Sequence, residues 1–88
     1  MPSLTRTRDG AGDSGALSQA LDVKDGQLVV VGNRPIVGAA MRVGSLTARS
    51  YSGQDYWTTT RVAEILEERE DYVRFKTVSS GSEYVWRD

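Results

Sequence analysis

A regular alternation of side chains near the C-terminus is the feature that most constrains what this chain can fold into. Aromatic and β-branched residues take every second position over residues 73–77 and again at 84 and 86. The segment between them, residues 79–82, consists of serine and glycine. Period two is typical of a strand with one buried face, and the intervening composition predicts a turn. A hairpin turn centred on Ser80 and Gly81 places Phe75 opposite Trp86.

Three further segments predict strands and bring the expected total to about five. Residues 27–31 follow the turn signal Asp25-Gly26 and contain three consecutive valines, which favour an extended backbone buried on both faces. Residues 41–51 and 56–60 are also rich in apolar, aromatic and β-branched side chains. These strands predict a mainly β fold, a small single-domain barrel or half-barrel of about five antiparallel strands.

Residues 60–70 permit two interpretations. Three apolar side chains have the i, i+3, i+4 spacing of a helix face: Val62, Ile65 and Leu66. However, Thr60 is followed three residues later by Ala63, so the segment lacks the acidic or amide residue of a capping box. We therefore predict that the preceding strand continues through this segment, with a short helix around residues 60–70 as the alternative.

The N-terminal segment has a different composition from the rest of the chain. Residues 1–25 are rich in serine, threonine, glycine and aspartate and contain no aromatic residue. A segment of this kind buries too little apolar surface to offset the entropy lost on ordering. The sequence therefore predicts a disordered tail over residues 1–25 and one small β domain over residues 26–88.

The residue inventory argues against catalysis. The 88 residues include no cysteine and no histidine, which excludes disulfides and thiolate zinc sites and removes the commonest general base. The chain also lacks the glycine-rich phosphate-binding motifs and the nucleophile elbow. We expect a protein that is not an enzyme and binds no cofactor or metal. The five acidic residues within 64–71 predict a solvated charged turn rather than a cation site.

Charge and hydropathy point to a protein without a membrane partner. The net charge is −1, which by itself indicates neither a nucleic acid nor a membrane surface. The longest strongly apolar run, residues 28–31, is far shorter than the roughly 18 residues needed to span a bilayer. We therefore expect a cytoplasmic location.

Aromatic residues interleaved with arginines around residues 49–61 are the most suggestive candidate site. Trp, Tyr and Arg dominate the hot spots of protein interfaces, and they also hold single-stranded nucleic acid by stacking and phosphate contacts. The residues predicted to bind a protein partner are Arg49, Tyr51, Tyr56 and Arg61. The residues predicted for the nucleic-acid alternative are Arg42, Arg49, Tyr56, Trp57 and Arg61. The competing interpretation makes Trp57 a core residue, and we adopt it because tryptophan is highly buried on average.

These observations predict a non-enzymatic interaction module. It would bind a protein partner, or a second copy of itself, through the turn between residues 51 and 57 or through an exposed strand edge. Self-association is included because the core of so small a domain is thin. Nucleic-acid binding through the arginine and aromatic residues is the alternative function. Residues 59–65, and residues 76–77 followed by 82–84, resemble short prokaryotic and phage β proteins, a resemblance that implies no particular function.

Overall fold

The computed structural model describes residues 2–45, 55–78 and 81–88. These residues form eight strands, which we number in chain order. Their bounds are β1 Ser3–Arg6, β2 Gly12–Ser14, β3 Leu17–Lys24, β4 Gln27–Gly32, β5 Ala40–Ser45, β6 Asp55–Arg69, β7 Tyr72–Thr77 and β8 Glu83–Arg87.

All eight strands belong to one antiparallel sheet with the order β2-β1-β8-β7-β6-β5-β3-β4. The sheet is strongly curved, because β2 contacts β5 and β6 although several strands separate them in the hydrogen-bonding order. Within the described residues the sheet does not close, and β2 and β4 form its two edges. The mainly β prediction is confirmed, whereas the expected barrel of about five strands is not.

The structure corrects the predicted disorder of residues 1–25, because this segment supplies three of the eight strands. Leu4 of β1 is only 1% exposed, and β1 pairs with both β2 and β8. β3 lies inside the sheet between β4 and β5, where Ala20 is fully buried. A few well-placed apolar side chains are enough here because the neighbouring strands supply the rest of the core and the backbone partners. Average composition does not detect such placement.

β6 confirms the strand predicted over residues 60–70 and rules out the helical alternative. Its pairing with β7 shifts between Val62 and Glu64 and again between Ile65 and Glu67. Each shift is a β-bulge, in which β6 contains one residue more than its partner strand. The extra residue brings Val62 and Ile65, three positions apart, to the same face, so that Val62 is buried and Ile65 packs against the core. The helix-like spacing is therefore the spacing of a bulged strand.

The C-terminal hairpin confirms the predicted alternation but not the predicted register. Phe75 lies opposite Tyr84, and Val73 lies opposite Trp86, a shift of two residues from the expected Phe75–Trp86 pair. The difference arises because the hairpin is centred one residue nearer the N-terminus than predicted, with the Thr77 amide donating to the Ser82 carbonyl at 3.0 Å. A shift of two preserves the face of every side chain.

The core lies on the concave side of the sheet. Phe75 and Tyr84 stack there with their ring centroids 5.6 Å apart. The buried members of the cluster are Leu4, Ala20, Ala39, Met41, Val43, Val62, Val73, Phe75, Tyr84 and Trp86. Trp86 also links the two halves of the sheet, because its Nε1 donates to Oγ of Ser18 on β3 at 3.0 Å.

Candidate interaction surface

The β3–β4 hairpin is formed by a two-residue turn at Asp25 and Gly26. Both residues have positive φ, 52° and 76° respectively. This is the conformation of a type I′ turn, for which Asp-Gly is a preferred sequence because glycine adopts positive φ without strain. The turn sets Lys24 opposite Gln27, and it also sets Val23 opposite Leu28. The sequence signal and the local structure therefore agree.

The apolar side chains of this hairpin are exposed. Leu28, Val30 and Val31 retain 58%, 56% and 40% of their accessible surface, and Val23 retains 48%. The prediction that the valine run is buried on both faces is therefore wrong. The physical reason is position, since β4 is the last strand of the sheet and its main contacts are with β3. No third strand and no second layer covers β4 within the part of the chain described.

Exposed apolar surface is concentrated at this end of the sheet. Among the described residues, seven large hydrophobic side chains are exposed, and all except Val78 lie between positions 23 and 37. Val37 is bridged to Val62 of β6, and we call the other five, which lie on the β3–β4 hairpin or against Gly32 of β4, the apolar patch: Val23, Leu28, Val30, Val31 and Ile36. Single exposed hydrophobic residues are ordinary, but a grouped set marks a surface that binds something.

The free edge of β4 also presents backbone hydrogen-bonding groups. In a two-residue hairpin the residues flanking the turn form a hydrogen-bonded pair, and the pairs alternate from there. Lys24–Gln27 and Asp22–Val29 are therefore the bonded pairs. The backbone N–H and C=O of Leu28 and Val30 point away from β3, toward the open edge. Their side chains share one face, since they are two residues apart.

The two edges of the sheet differ in length and chemistry. β2 is three residues long, Gly12–Ser14, and contains no large apolar side chain. β4 is six residues long and contains a leucine and three valines but no charged residue and no proline. Natural edge strands are usually short, charged, proline-bearing or covered, because an unprotected edge recruits other strands. β2 fits that description, and β4 does not.

The outer, convex face of the sheet also carries two residues of the predicted site. Leu21 lies opposite Val30 on one side and Ala40 on the other, so these three side chains share a face. Arg42 is two residues beyond Ala40 on β5 and has the same orientation. Its guanidinium lies 4.7 Å from the ring centroid of Tyr56. The Arg42–Tyr56 pair and the side chains of Leu28 and Val30 therefore share one surface.

Of the other predicted site residues, the structure describes Trp57 and Arg61. Arg49 and Tyr51 lie outside the described residues. Trp57 packs against the core, and its Nε1 donates to Oη of Tyr84 at 3.4 Å. Arg61 is exposed, and its guanidinium forms an ion pair with Asp22 at 3.3 Å and a 3.0 Å hydrogen bond to a backbone carbonyl.

A cavity of about 280 Å³ lies between Arg34 and Trp86. The Arg34 guanidinium stands over the indole ring of Trp86 at 5.4 Å. It donates to the backbone carbonyls of Arg69 and Glu70 at 2.6 and 3.0 Å, and it pairs with the Glu68 carboxylate at 3.3 Å. These contacts connect the segment after β4 to the end of β6. The positive charge of Arg34 therefore stabilises the fold at this cavity.

A charged turn joins β1 to β2. The Arg6 guanidinium donates two hydrogen bonds to the Asp9 carboxylate, at 2.9 and 2.7 Å. These bonds, followed by one from the Ala11 amide, hold the pKa of Asp9 well below its usual range. The Arg6 guanidinium also lies 5.3 Å from the ring centroid of Trp57. The ion pair with Asp9 therefore holds the Arg6 guanidinium beside the ring of Trp57, which packs against the core.

Two acidic residues of β6, Glu67 and Glu68, are engaged in ion pairs. Glu67 pairs with Arg69 and Arg74, and Glu68 pairs with Arg34. Over residues 2–45, 55–78 and 81–88, no group of three or more potential ligands is placed to hold a metal ion. The same residues contain no helix that could cross a membrane.

Comparison of the chain with protein-family models, with curated proteins and with solved structures found no match. The candidate surface therefore rests on the geometry of this chain. Sequence reasoning allowed for an exposed strand edge but did not name Val23, Leu28 and Val30. The available signal was the turn at Asp25-Gly26 followed by an uncharged, valine-rich strand without proline.

Proposed function

We propose that this protein is a non-enzymatic interaction module that binds another polypeptide strand along the free edge of β4. The observation that carries the proposal is the grouping of exposed hydrophobic residues on and beside a six-residue edge strand. An extended partner segment can add to such an edge through backbone hydrogen bonds, while alternate side chains supply specificity. Leu28 and Val30 offer the outward backbone groups for this pairing.

Burial of the apolar patch supplies the favourable free energy for association. Fully burying a leucine or valine side chain contributes about 1.5–3 kcal/mol. Leu28 and Val30 are each more than half exposed, so covering each of them contributes about 1 kcal/mol. The edge hydrogen bonds add about 0.5–1.5 kcal/mol each. The two contributions act at the same residues, which makes Val30 a suitable position to test.

The absence of catalysis in this proposal rests on the residue inventory. A chain without histidine and cysteine lacks the commonest general base and the commonest nucleophilic thiol. Two carboxylates of β6 are instead paired with arginines, Glu67 with Arg74 of β7 and Glu68 with Arg34 after β4. Binding through an edge strand requires no such groups.

Nucleic-acid binding is the second candidate function. It is supported by the Arg42 guanidinium stacked on Tyr56 at the outer face of the sheet. Three observations weigh against it. The ring of Tyr56 is already covered by Arg42 on one side, and Arg61 is paired with Asp22. Trp57 packs on the core, away from that surface. We therefore rank this function below strand addition.

A comparison of three immobilised chains tests the proposed function. The baits are the wild type, Val30→Lys, and the control Val78→Lys, which replaces an equally exposed valine outside the apolar patch. Each bait is exposed to an extract of the source cells and to the free chain carrying a tag. We expect the wild type and Val78→Lys to retain the same protein, whether another polypeptide or the tagged chain. Val30→Lys is expected to retain at least tenfold less of it, because a charge at the edge blocks strand addition.

The nucleic-acid alternative is tested in parallel with a labelled single-stranded oligonucleotide. Phosphate-driven binding falls steeply as salt rises, and it should also fall in Arg42→Ala. Salt-sensitive binding that depends on Arg42, together with equal protein retention by Val30→Lys and Val78→Lys, would favour nucleic-acid binding and contradict the edge proposal.

A further inference from the structure

We propose that the strand added to β4 is the β4 strand of a second copy of this chain, paired antiparallel about a two-fold axis at Val29. This inference rests on the proposed function, since it names the partner that the edge binds. It predicts a symmetric dimer in which the two sheets become one continuous sheet.

The backbone of β4 is complementary to itself in this arrangement. Leu28 and Val30 carry the outward N–H and C=O groups, and they are placed symmetrically about Val29. In an antiparallel pair centred on Val29, Leu28 of each copy lies opposite Val30 of the other. Each of these two pairs can exchange both backbone hydrogen bonds. A dimer with a two-fold axis uses the same surface of both copies, so that surface must be complementary to itself. Two-fold symmetry is by far the commonest symmetry of homo-oligomers.

The side chains extend the same match. Val23 lies beside Leu28, and Leu21 lies beside Val30, all on the outer face of the hairpin. The two-fold axis stands perpendicular to the sheet, so the outer faces of both copies lie on the same side. Leu28 of one copy then contacts Val30 of the other, and an unbroken apolar row crosses the dimer. Two exposed side chains of each copy, Leu28 and Val30, lose solvent contact in this way.

Charge also favours a second copy. The six residues of β4 include no ionised side chain, so two copies bring no like charges together at the edge. The nearest ionised residues along the chain, Asp25 before β4 and Arg34 after it, have opposite signs. An identical chain provides an uncharged, apolar strand of the same length for this edge.

Room for the second strand exists at this edge. The main contacts of β4 are with β3, and no other described element packs on its outer side. The ordinary spacing of about 4.8 Å between strands can therefore be reached without moving the described part of the fold.

Sedimentation velocity over a concentration series tests the inference with wild type, Val30→Lys and Val78→Lys. We expect the wild type and Val78→Lys to pass from monomer to dimer as concentration rises. Val30→Lys should dimerise at least tenfold more weakly while retaining its strand signal in circular dichroism. A wild type that stays monomeric throughout overturns the inference, and so does a dimer that Val30→Lys and Val78→Lys form equally.

A cysteine substitution tests the register independently of lysine effects on folding. The chain has no cysteine, so Val29→Cys introduces a single thiol. At the two-fold axis, Val29 faces its own copy in a pair that is not hydrogen-bonded, with Cα atoms about 4.5 Å apart, within the range that a disulfide spans. We expect Val29→Cys to form a disulfide-linked dimer at least tenfold faster than the control Val78→Cys. Equal rates would overturn the register.

The two proposals fail in different ways. A monomeric chain that still retains another protein through Val30 overturns the self-pairing and leaves strand addition intact. A wild-type chain that neither dimerises nor retains any protein through Val30 overturns both the self-pairing and the strand addition.

Discussion

Replacing Trp86 by alanine is expected to lower the free energy of unfolding by about 3–5 kcal/mol, the range for truncating a fully buried tryptophan. The ring is 4% exposed and lies opposite Val73 in the core-facing row of the C-terminal hairpin. Its indole N–H donates to Ser18 at 3.0 Å, and the Arg34 guanidinium covers the ring at 5.4 Å. One side chain thus joins β8, β3 and the end of β4.

The contributions of ring and hydrogen bond can be separated. Trp86→Phe retains most of the apolar volume but removes the indole donor, so it should lower the unfolding free energy by about 1–2 kcal/mol. Ser18→Ala removes this acceptor and also the hydroxyl that donates to the Asn33 carbonyl at 2.7 Å, so it should cost about 1–2 kcal/mol. In the double variant the two losses should not add, because both remove the same hydrogen bond.

Urea unfolding followed by circular dichroism measures these losses without depending on tryptophan fluorescence. The control is Val85→Ala on the same strand, where a partly exposed side chain should cost less than about 1 kcal/mol. A Trp86→Ala chain that unfolds without denaturant agrees with the expectation, since a domain of this size has little stability to lose. A loss below 1 kcal/mol for Trp86→Ala would refute the assigned core face.

Three further predictions follow from single contacts. Tyr56→Ala should lower the unfolding free energy by less than about 1 kcal/mol in urea, because the ring is partly exposed and its described contact is the Arg42 guanidinium. Gly12→Ala should lower it by about 1–3 kcal/mol in calorimetry, since the new Cβ would stand 1.8 Å from the Leu4 carbonyl oxygen. Asp9 has a lowered folded-state pKa, so its contribution is present above the unfolded pKa of about 3.9 and is lost as pH falls through the folded value. Asp9→Asn should therefore weaken the loss of stability on acidification in urea unfolding at a series of pH values, and an unchanged profile would contradict this.

The periodic signals of the sequence predicted local structure well. The alternation around residues 73–86 identified the C-terminal hairpin and its buried face, and Asp25-Gly26 identified the β3–β4 turn. The hairpin register was wrong by two residues, because the alternation does not encode where the hairpin is centred. The 60–70 segment was correctly preferred as a strand, although its bulges imitate helical spacing.

Tertiary context explains what the sequence did not predict. Residues 1–25 have a composition typical of disorder, yet Leu4 and Ala20 reach a core built mainly by other strands. The valine run of β4 has the composition of a central strand but lies at the edge. Composition reports what a segment could bury, whereas sheet order decides what it does bury. The Arg42–Tyr56 contact likewise depended on the β5–β6 register, which no local pattern gives.

Hydrogen exchange at individual amides of β4 tests the central claim most directly. In the monomer the amide of Val29 points toward β3, whereas those of Leu28 and Val30 point to the open edge. At low concentration we predict a protected Val29 between unprotected Leu28 and Val30 amides. As concentration rises, the Leu28 and Val30 amides should become protected together, and they should remain unprotected in Val30→Lys. Exchange at these two amides that does not change with concentration would contradict pairing between two β4 strands.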